Sequence, residues 1–130
     1  MNWLIAGTDA HAKNYSILIG GGGVVRLAPL YDVASILAYG DIDLQKAKLA
    51  MKIGGEYRLR DIGITEWRKL AAETRVNADE LVGRVRAMAA ELPDRLADEV
   101  RKLREAGLSH AAITVLADAL PKRAARIASI

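Results

Sequence analysis

The chain has 130 residues, of which 52% are hydrophobic and 27% are charged, and this length and composition are typical of one folded domain. It contains no cysteine, which excludes disulfide scaffolds, thiolate metal sites and cysteine nucleophiles. No apolar run approaches the roughly 20 residues that cross a bilayer, and the first residues lack the basic start of a signal peptide. We therefore expect a soluble, cytoplasmic chain without a membrane partner. The net charge of +3 lies entirely in residues 57–130, and so small an excess predicts a solvated surface and no direct contact with nucleic acid.

Two short apolar segments, residues 15–19 and 24–27, predict a β-hairpin near the N-terminus. The four glycines between them, residues 20–23, could form a phosphate-binding loop. However, no Gly-Lys-Ser/Thr motif follows them and no helix begins directly after them. A hairpin turn that needs positive φ angles explains the glycines better. We expect a second short strand pair at Lys48–Ile53 and Tyr57–Arg60.

The second half of the chain has the apolar spacing of amphipathic helices, so residues 61–130 are predicted to form a helical bundle. One helix is expected to begin near Thr65 and to pack Trp67, Leu70 and Ala71 into the core. The next should begin after Asn77, because Asn77 and Glu80 have the spacing of a capping box.

Glycine and proline residues predict the helix ends. Pro93 is expected to break or kink the helix that begins after Asn77, and Gly107 suits the position just past its end. Ser109 is predicted to cap a last helix, which Pro121 should interrupt before a short basic tail. The predicted fold class is therefore a mainly α lobe with a small β-hairpin near the N-terminus.

The chemically most informative residues lie in the segment from Gly7 to Asn14. Asp9 and Asn14 are five positions apart, which is the Asp-x-x-x-x-Asn spacing of the protein-kinase catalytic loop. The predicted hairpin follows, and Asp32 comes after it, in the order that kinases use. Phosphoryl transfer needs a carboxylate to orient the attacking hydroxyl and hard oxygen ligands for Mg²⁺. Asp9 suits the first role, and Asn14 and Asp32 suit the second.

Each of these residues also has a purely structural interpretation. Asp9 and Asn14 could be turn residues, and Asp32 could be the N-cap of a short helix that follows it. His11 could orient the loop or contact a substrate, or it could simply be a hydrogen-bonded loop residue. Lys13 could place a positive charge near a phosphoryl group or could be an ordinary solvated charge. The kinase interpretation depends on the order of Asp9, Asn14 and Asp32 around a hairpin.

Three segments resemble a known family. The sequence WLIAGTDAHAKNYS, residues 3–16, resembles the catalytic loop of HipA-type toxin kinases. The sequence RLAPLYDV, residues 26–33, resembles the metal-binding segment of that family, and KLAMKIGG, residues 48–55, is also similar. The resemblance is strong through residue 55 and extends over the helical remainder as the C-terminal lobe, residues 1–130.

The resemblance implies a serine/threonine kinase of a bacterial toxin–antitoxin module that uses ATP and Mg²⁺. By motif match, Asp9 would be the catalytic aspartate, with His11 and Lys13 beside it in the loop. Asn14 and Asp32 would bind the metal and, through it, the nucleotide. The implied partners are a helix-turn-helix antitoxin and a protein substrate of translation such as an aminoacyl-tRNA synthetase.

The sequence also departs from the family pattern. Such kinases have an N-terminal lobe with a nucleotide-clamping loop and an ATP-binding lysine, and neither feature occurs in these residues. Because both lobes position the phosphates, we expect the chain alone to have very weak or no kinase activity. A separately encoded N-terminal lobe could complete the site. The alternative is a non-catalytic helical interaction module that binds an antitoxin or another lobe through apolar surface.

Overall fold

The computed structural model describes all 130 residues as a mainly helical lobe, which confirms the predicted fold class. The strands are β1 (Ile17–Ile19), β2 (Val25–Leu27), β3 (Lys48–Ile53) and β4 (Glu56–Arg58), and the helices are α1 (Ile64–Thr74), α2 (Ala78–Glu105) and α3 (Ala111–Ala128). Each sheet has two antiparallel strands, β1 with β2 and β3 with β4. None of the helices combines the length and the apolarity that a membrane crossing needs.

The first sheet is the predicted hairpin. Ile17 pairs with Leu27 and Ile19 pairs with Val25 across the two strands. Gly22 and Gly23 in the turn have φ angles of 73° and 77°, a conformation that glycine adopts without the steric cost of a Cβ atom. The explanation of the glycines as turn residues is therefore confirmed.

The second sheet connects the first half of the chain to the helices. Leu49 and Ile53 of β3 are buried in the core, and the turn to β4 contains Gly54 with a φ angle of 56°. A Cβ atom at Gly54 would overlap the backbone carbonyl of Glu66 in α1. The close packing of this turn against α1 therefore requires glycine for two independent reasons.

The prolines do not end or divide the helices, so the predicted break at Pro93 and the predicted interruption at Pro121 were wrong, while a kink at Pro93 stays a prediction. Pro93 lies inside α2, which is continuous over 28 residues, and Pro121 lies inside α3, which is continuous over 18. A proline in a helix costs about 3 kcal/mol because it removes one hydrogen bond and crowds the preceding turn. Here α2 and α3 pack against each other, and each proline has buried apolar residues on both sides, Ala89 and Val100 in α2 and Leu120 and Ala124 in α3. Their burial offsets that cost.

The other predicted helix signals are mostly correct. The Asn77 side chain accepts hydrogen bonds from the backbone N–H groups of Asp79 and Glu80, at 2.9 and 3.0 Å. Gly107 has a φ angle of 77° just past the end of α2, as predicted. The cap of α3 was predicted wrongly: it is His110, whose Nδ1 accepts from the N–H of Ala112 at 3.1 Å, and not Ser109.

One hydrophobic core joins the beginning and the end of the chain. It contains Trp3, Leu4 and Ala6 from the first turn-rich segment, residues of β3, and Ala124 and Ile127 from α3. The rings of Trp3 and Trp67 pack edge to face with centroids 5.5 Å apart, and Leu70 also contacts this core. The segment before the predicted catalytic loop is thus anchored by the helices.

Candidate functional site

The predicted catalytic loop begins where the buried N-terminal segment ends. Ala6 is fully buried and has a φ angle of 55°, an uncommon conformation for a residue with a Cβ atom. Gly7 follows it, and a side chain there would come within 3.0 Å of the Ala34 carbonyl oxygen. The backbone therefore turns sharply before Asp9, and the loop emerges at the surface from a rigid base.

Asn14 and Asp32 lie side by side, although 18 positions separate them in the sequence. The Asn14 Nδ2 atom donates a hydrogen bond to Asp32 Oδ2 at 2.7 Å. Asn14 Oδ1 accepts one from the backbone N–H of His11 at 3.0 Å. Asn14 is the only buried polar side chain, with 8% of its surface exposed. Both ends of its amide are paired, as burial of an amide requires.

The backbone around Asp32 is in an unusual conformation. Asp32 has a φ angle of 54°, and such a conformation costs about 1–3 kcal/mol and persists only where the surroundings hold it in place. The structural alternative, in which Asp32 caps a short helix, is wrong. The cap of the 3₁₀ turn Ile36–Ala38 is Ser35, whose hydroxyl oxygen accepts from the N–H of Leu37 at 3.2 Å. The Ser35 hydroxyl also donates to the carbonyl of Ile5 at 2.6 Å.

Tyr31 ties the segment that carries Asp32 to the loop that carries Asn14. Its hydroxyl donates to the backbone carbonyl of Lys13 at 2.8 Å and lies 3.0 Å from the Ser16 hydroxyl. The adjacent residue Asp32 reaches Asn14 itself. Sequence reasoning assigned Tyr31 no role, although its position next to Asp32 was a usable signal.

The remaining predicted site residues point their side chains into solvent. Asp9, His11 and Lys13 are all exposed. The His11 backbone N–H links them to the cluster, because it also donates to the Asp9 carbonyl at 2.9 Å. The Asp9 carboxylate forms no hydrogen bond to Asn14 or Asp32, whose side chains pair with each other. The catalytic roles assigned to these three residues stay predictions.

Asn14 and Asp32 carry oxygen atoms of the type that a hard divalent cation binds, and a shared cation would replace the Nδ2–H···Oδ2 hydrogen bond between them. A carboxylate and an amide carbonyl are ligands that Mg²⁺ accepts, and each carbonyl oxygen has two lone pairs. No group of three or more His, Cys, Asp or Glu side chains could hold a metal ion. Asn14 and Asp32 could therefore supply only part of a coordination shell. Mg²⁺ usually takes its remaining ligands from water and phosphates.

Arg123 supports the site from the far end of the chain. Its guanidinium donates to the carbonyls of Leu4 and Trp3, at 3.0 and 2.7 Å, and lies 5.8 Å from the centre of the Trp3 ring. Burial, with a smaller contribution from the nearby Arg126, lowers the pKa of Arg123 to about 10. The side chain is thus still charged at neutral pH. Nothing in the local sequence signals a contact across 119 positions.

The fold and the site together define a class of protein. It is a mainly helical lobe in which a loop with Asp9 and Asn14, then a hairpin, then Asp32 occur in the order used by kinases. The family described as the HipA-like C-terminal domain matches residues 1–99. The chain therefore belongs to the HipA-like C-terminal domain family, as its motifs predicted.

Two individual proteins show the extent of the similarity. "Putative kinase Y4mE" of Sinorhizobium fredii (strain NBRC 101917 / NGR234) is 30% identical over 123 residues, which are 95% of this chain and 28% of that protein. HipA of Shewanella oneidensis MR-1, from a toxin–antitoxin complex of HipA, HipB and operator DNA, superposes with a TM-score of 0.78. It is 23% identical, and the superposition covers 99% of this chain and 31% of that one. The chain thus spans less than a third of the length of both proteins.

Proposed function

We propose that this chain is the lobe of a HipA-like serine/threonine kinase that carries the catalytic loop and the metal ligands. The reaction would be transfer of the γ-phosphoryl group of ATP to a hydroxyl of a protein of translation. The observation that carries the proposal is the 2.7 Å hydrogen bond between Asn14 and Asp32. It brings two predicted metal ligands together from opposite sides of a hairpin, and a capping role for Asp32 does not explain it.

Each site residue has a distinct task in this proposal. Asn14 and Asp32 would hold Mg²⁺, which supplies charge neutralisation at the phosphates. Asp9, exposed and without a hydrogen-bonding partner for its side chain, is free to accept a hydrogen bond from the substrate hydroxyl and to orient it. Lys13 would place a cation near the transferring group, and His11 holds Asn14 through its backbone N–H.

Activity would require a second lobe. The chain contributes only part of a metal shell, and phosphoryl transfer depends on positioning the nucleotide from both sides. We therefore expect very weak or no transfer by these 130 residues alone. A HipB-type, DNA-binding antitoxin is the proposed regulatory partner, because the Shewanella HipA occurs in a complex with HipB. An aminoacyl-tRNA synthetase remains the proposed class of substrate, from the family resemblance alone.

Metal binding tests the proposed ligands directly. We expect Mn²⁺, used as a spectroscopic substitute for Mg²⁺, to bind in the presence of ADP. Asp32→Ala and Asn14→Ala should each weaken binding by about tenfold or more. Asp41→Ala is the matched control, because Asp41 is exposed and forms no ion pair. Equal affinity of the wild type, Asp32→Ala and Asp41→Ala would remove Asp32 from the metal site.

Phosphoryl transfer tests the role of Asp9. When the chain is combined with a neighbouring nucleotide-binding lobe, radiolabel from ATP should appear on protein. Asp9→Asn should abolish the label without changing Mn²⁺ affinity. Labelling that survives this substitution would exclude Asp9 as the residue that orients the hydroxyl.

A non-catalytic interaction module is the second candidate, and the hairpin favours it. Ile19, Val24 and Val25 are 73%, 64% and 58% exposed, and a continuous exposed apolar surface marks an interaction site. Ile19→Ser and Val25→Ser should weaken association with a purified antitoxin or second lobe in sedimentation experiments. If these variants bind normally, the hairpin is not the contact surface.

A further inference from the structure

A cavity at the C-terminal end of α3 is lined by three arginines and by no acidic side chain. It has a volume of about 260 Å³ and lies between α3, the N-terminal segment and the connection from β4 to α1. The three arginines are Arg60, Arg123 and Arg126, and most of the other lining residues are apolar. This volume is smaller than the roughly 300–1,000 Å³ of sites for drug-sized molecules. The cavity therefore suits a small anion or the charged end of a larger molecule.

Arg123 is a partly buried cation without a carboxylate partner. Its Nε and Nη2 atoms donate to the carbonyls of Leu4 and Trp3, and these neutral groups do not cancel the guanidinium charge. Arg123 forms no ion pair. Burial and the nearby charge of Arg126 lower its pKa, and no acidic group counteracts them. Because a buried charge is costly unless it is paired, Arg123 indicates an anion that comes from outside the chain.

The Nη1 group of Arg123 reaches open space. It has no hydrogen-bond partner in the chain, since the two bonds of this side chain start from Nε and Nη2. It is nevertheless not buried, because the only buried side-chain nitrogens and oxygens without a partner are those of the two tryptophans. None of the other larger cavities is lined by Arg123. The N–H groups of Nη1 are therefore available to a ligand at this cavity.

The two other arginines differ in how free their charges are. Arg126 follows Arg123 by about one turn of α3, is exposed, and forms no ion pair. Arg60 pairs with Asp61 at 3.3 Å, and Asp61 does not line the cavity. Two arginines thus lack a carboxylate, and a phosphate monoester carries roughly two negative charges at neutral pH. We propose that this cavity binds a phosphate group, with its oxygens at Arg123 and Arg126.

Contacts within the chain are a weaker explanation of the arginines. The carboxylate of Asp43, next to the lining residue Leu44, pairs with Lys46 at 3.6 Å and does not line the cavity. The main-chain oxygen of Ile130 accepts a hydrogen bond from Arg86. Water can solvate a guanidinium but brings no negative charge. A phosphate group both neutralises the two cations and accepts charge-assisted hydrogen bonds from them.

Backbone amides at the cavity report binding. In a ¹H–¹⁵N spectrum without divalent cations, phenyl phosphate and inorganic phosphate should each shift the resonances of Leu59 and Ile127, which line the cavity, in a saturable manner. Tighter binding of inorganic phosphate would assign the site to the free ion, and tighter binding of phenyl phosphate would assign it to an organic phosphate. Phenol, which has the same apolar body without the anion, and chloride at matched ionic strength should cause no saturable shift. No saturable shift with either phosphate, or equal shifts with phenol or chloride, would overturn the proposal.

Two variants and a matched control locate the phosphate group. Arg126→Met should weaken phenyl phosphate binding about tenfold, because a charge-assisted contact is lost. Asp61→Asn, which frees the charge of Arg60, should strengthen it about threefold, a gain that misfolding cannot produce. Arg104→Met removes the same charge as Arg126→Met at an exposed position of α2 outside the cavity, and should bind like the wild type. Unchanged affinity in Arg126→Met, or an equal loss in Arg104→Met, would contradict the assigned site. This inference does not depend on the proposed phosphoryl transfer.

Discussion

The segment of residues 15–48 and the rest of the chain differ in how many of their residues are buried. In the whole protein 17 of 130 residues are buried, and none of them lies in residues 15–48. This segment nevertheless contains the hairpin β1–β2 and Asp32. An isolated two-stranded hairpin is marginally stable in water, so its position depends on anchors outside itself.

These anchors include hydrogen bonds to the N-terminal segment and the loop, and Ile36 and Leu37 also pack against the hydrophobic core. Asp32 contacts Asn14, Tyr31 contacts Lys13, and Ser35 contacts Ile5. The helical part, by contrast, is stabilised by the burial of apolar side chains around Trp3 and Ile53. The candidate site thus lies between these two parts of the molecule: Asn14 belongs to the loop that emerges from the core, and Asp32 belongs to the exposed segment.

The largest difference in the free energy of unfolding should appear between alanine substitutions at Gly54 and Gly22, which both have positive φ angles. Gly54→Ala places a Cβ atom into the backbone of Glu66, and we expect the free energy of unfolding to fall by about 3 kcal/mol or more. Gly22→Ala has open space around it and should cost about 1–2 kcal/mol, from its φ angle alone. Urea unfolding measures both changes. Similar losses would show that the hairpin turn is as tightly packed as the turn to α1.

A pair of identical substitutions tests burial alone. Ile53 is 8% exposed and Ile19 is 73% exposed. Ile53→Ala should lower the free energy of unfolding by about 3 kcal/mol through lost burial and an added cavity. Ile19→Ala should change it by less than about 0.5 kcal/mol. A loss at Ile19 as large as that at Ile53 would mean that the hairpin is buried in solution, for example against a second molecule.

Arg123 should stabilise the N-terminal segment, to which it donates hydrogen bonds, and not the hairpin. Arg123→Met leaves the Leu4 carbonyl without a donor and the Trp3 carbonyl with the Ala6 N–H alone, and should cost about 2 kcal/mol. Hydrogen exchange should accelerate at the amides of residues 4–7 and stay unchanged in β1 and β2. Arg126→Met is the control on the same helix, because Arg126 is exposed. Faster exchange that is confined to the hairpin would contradict this division.

The sequence could predict the features that depend on neighbouring residues but not those that depend on residues far apart in the chain. Local patterns predicted both strand pairs, the Asn77 cap and the end of α2 at Gly107, because each depends on residues a few positions apart. The continuity of α2 and α3 through Pro93 and Pro121 could not be predicted locally, since it depends on the burial of apolar residues on both sides of each proline. The Arg123 contacts could not be predicted from local patterns either, because their partners lie at the other end of the chain.

The smallest predicted effect concerns acid stability in the helical part. Glu66 Oε2 accepts a hydrogen bond from the Gly63 N–H at 3.0 Å at the start of α1. This bond, the main cause, holds the pKa of Glu66 below its ordinary value of 4.5. Because the folded-state pKa is depressed, the carboxylate stabilises the fold above its unfolded-state pKa, and the contribution is lost as the pH falls through the folded value.

Glu66→Gln should therefore flatten the fall of stability on acidification below about pH 4.5. Glu73→Gln, at an exposed position of the same helix, should keep the wild-type profile. Thermal unfolding measured between neutral and acidic pH distinguishes the two variants. The position of Asn14 and Asp32 does not depend on the Glu66 cap of α1. The Asn14 amide resonance should therefore be the same in the wild type and in Glu66→Gln at neutral pH. A shift of that resonance would mean that α1 and the Asp32 segment are coupled more closely than their separate anchors imply.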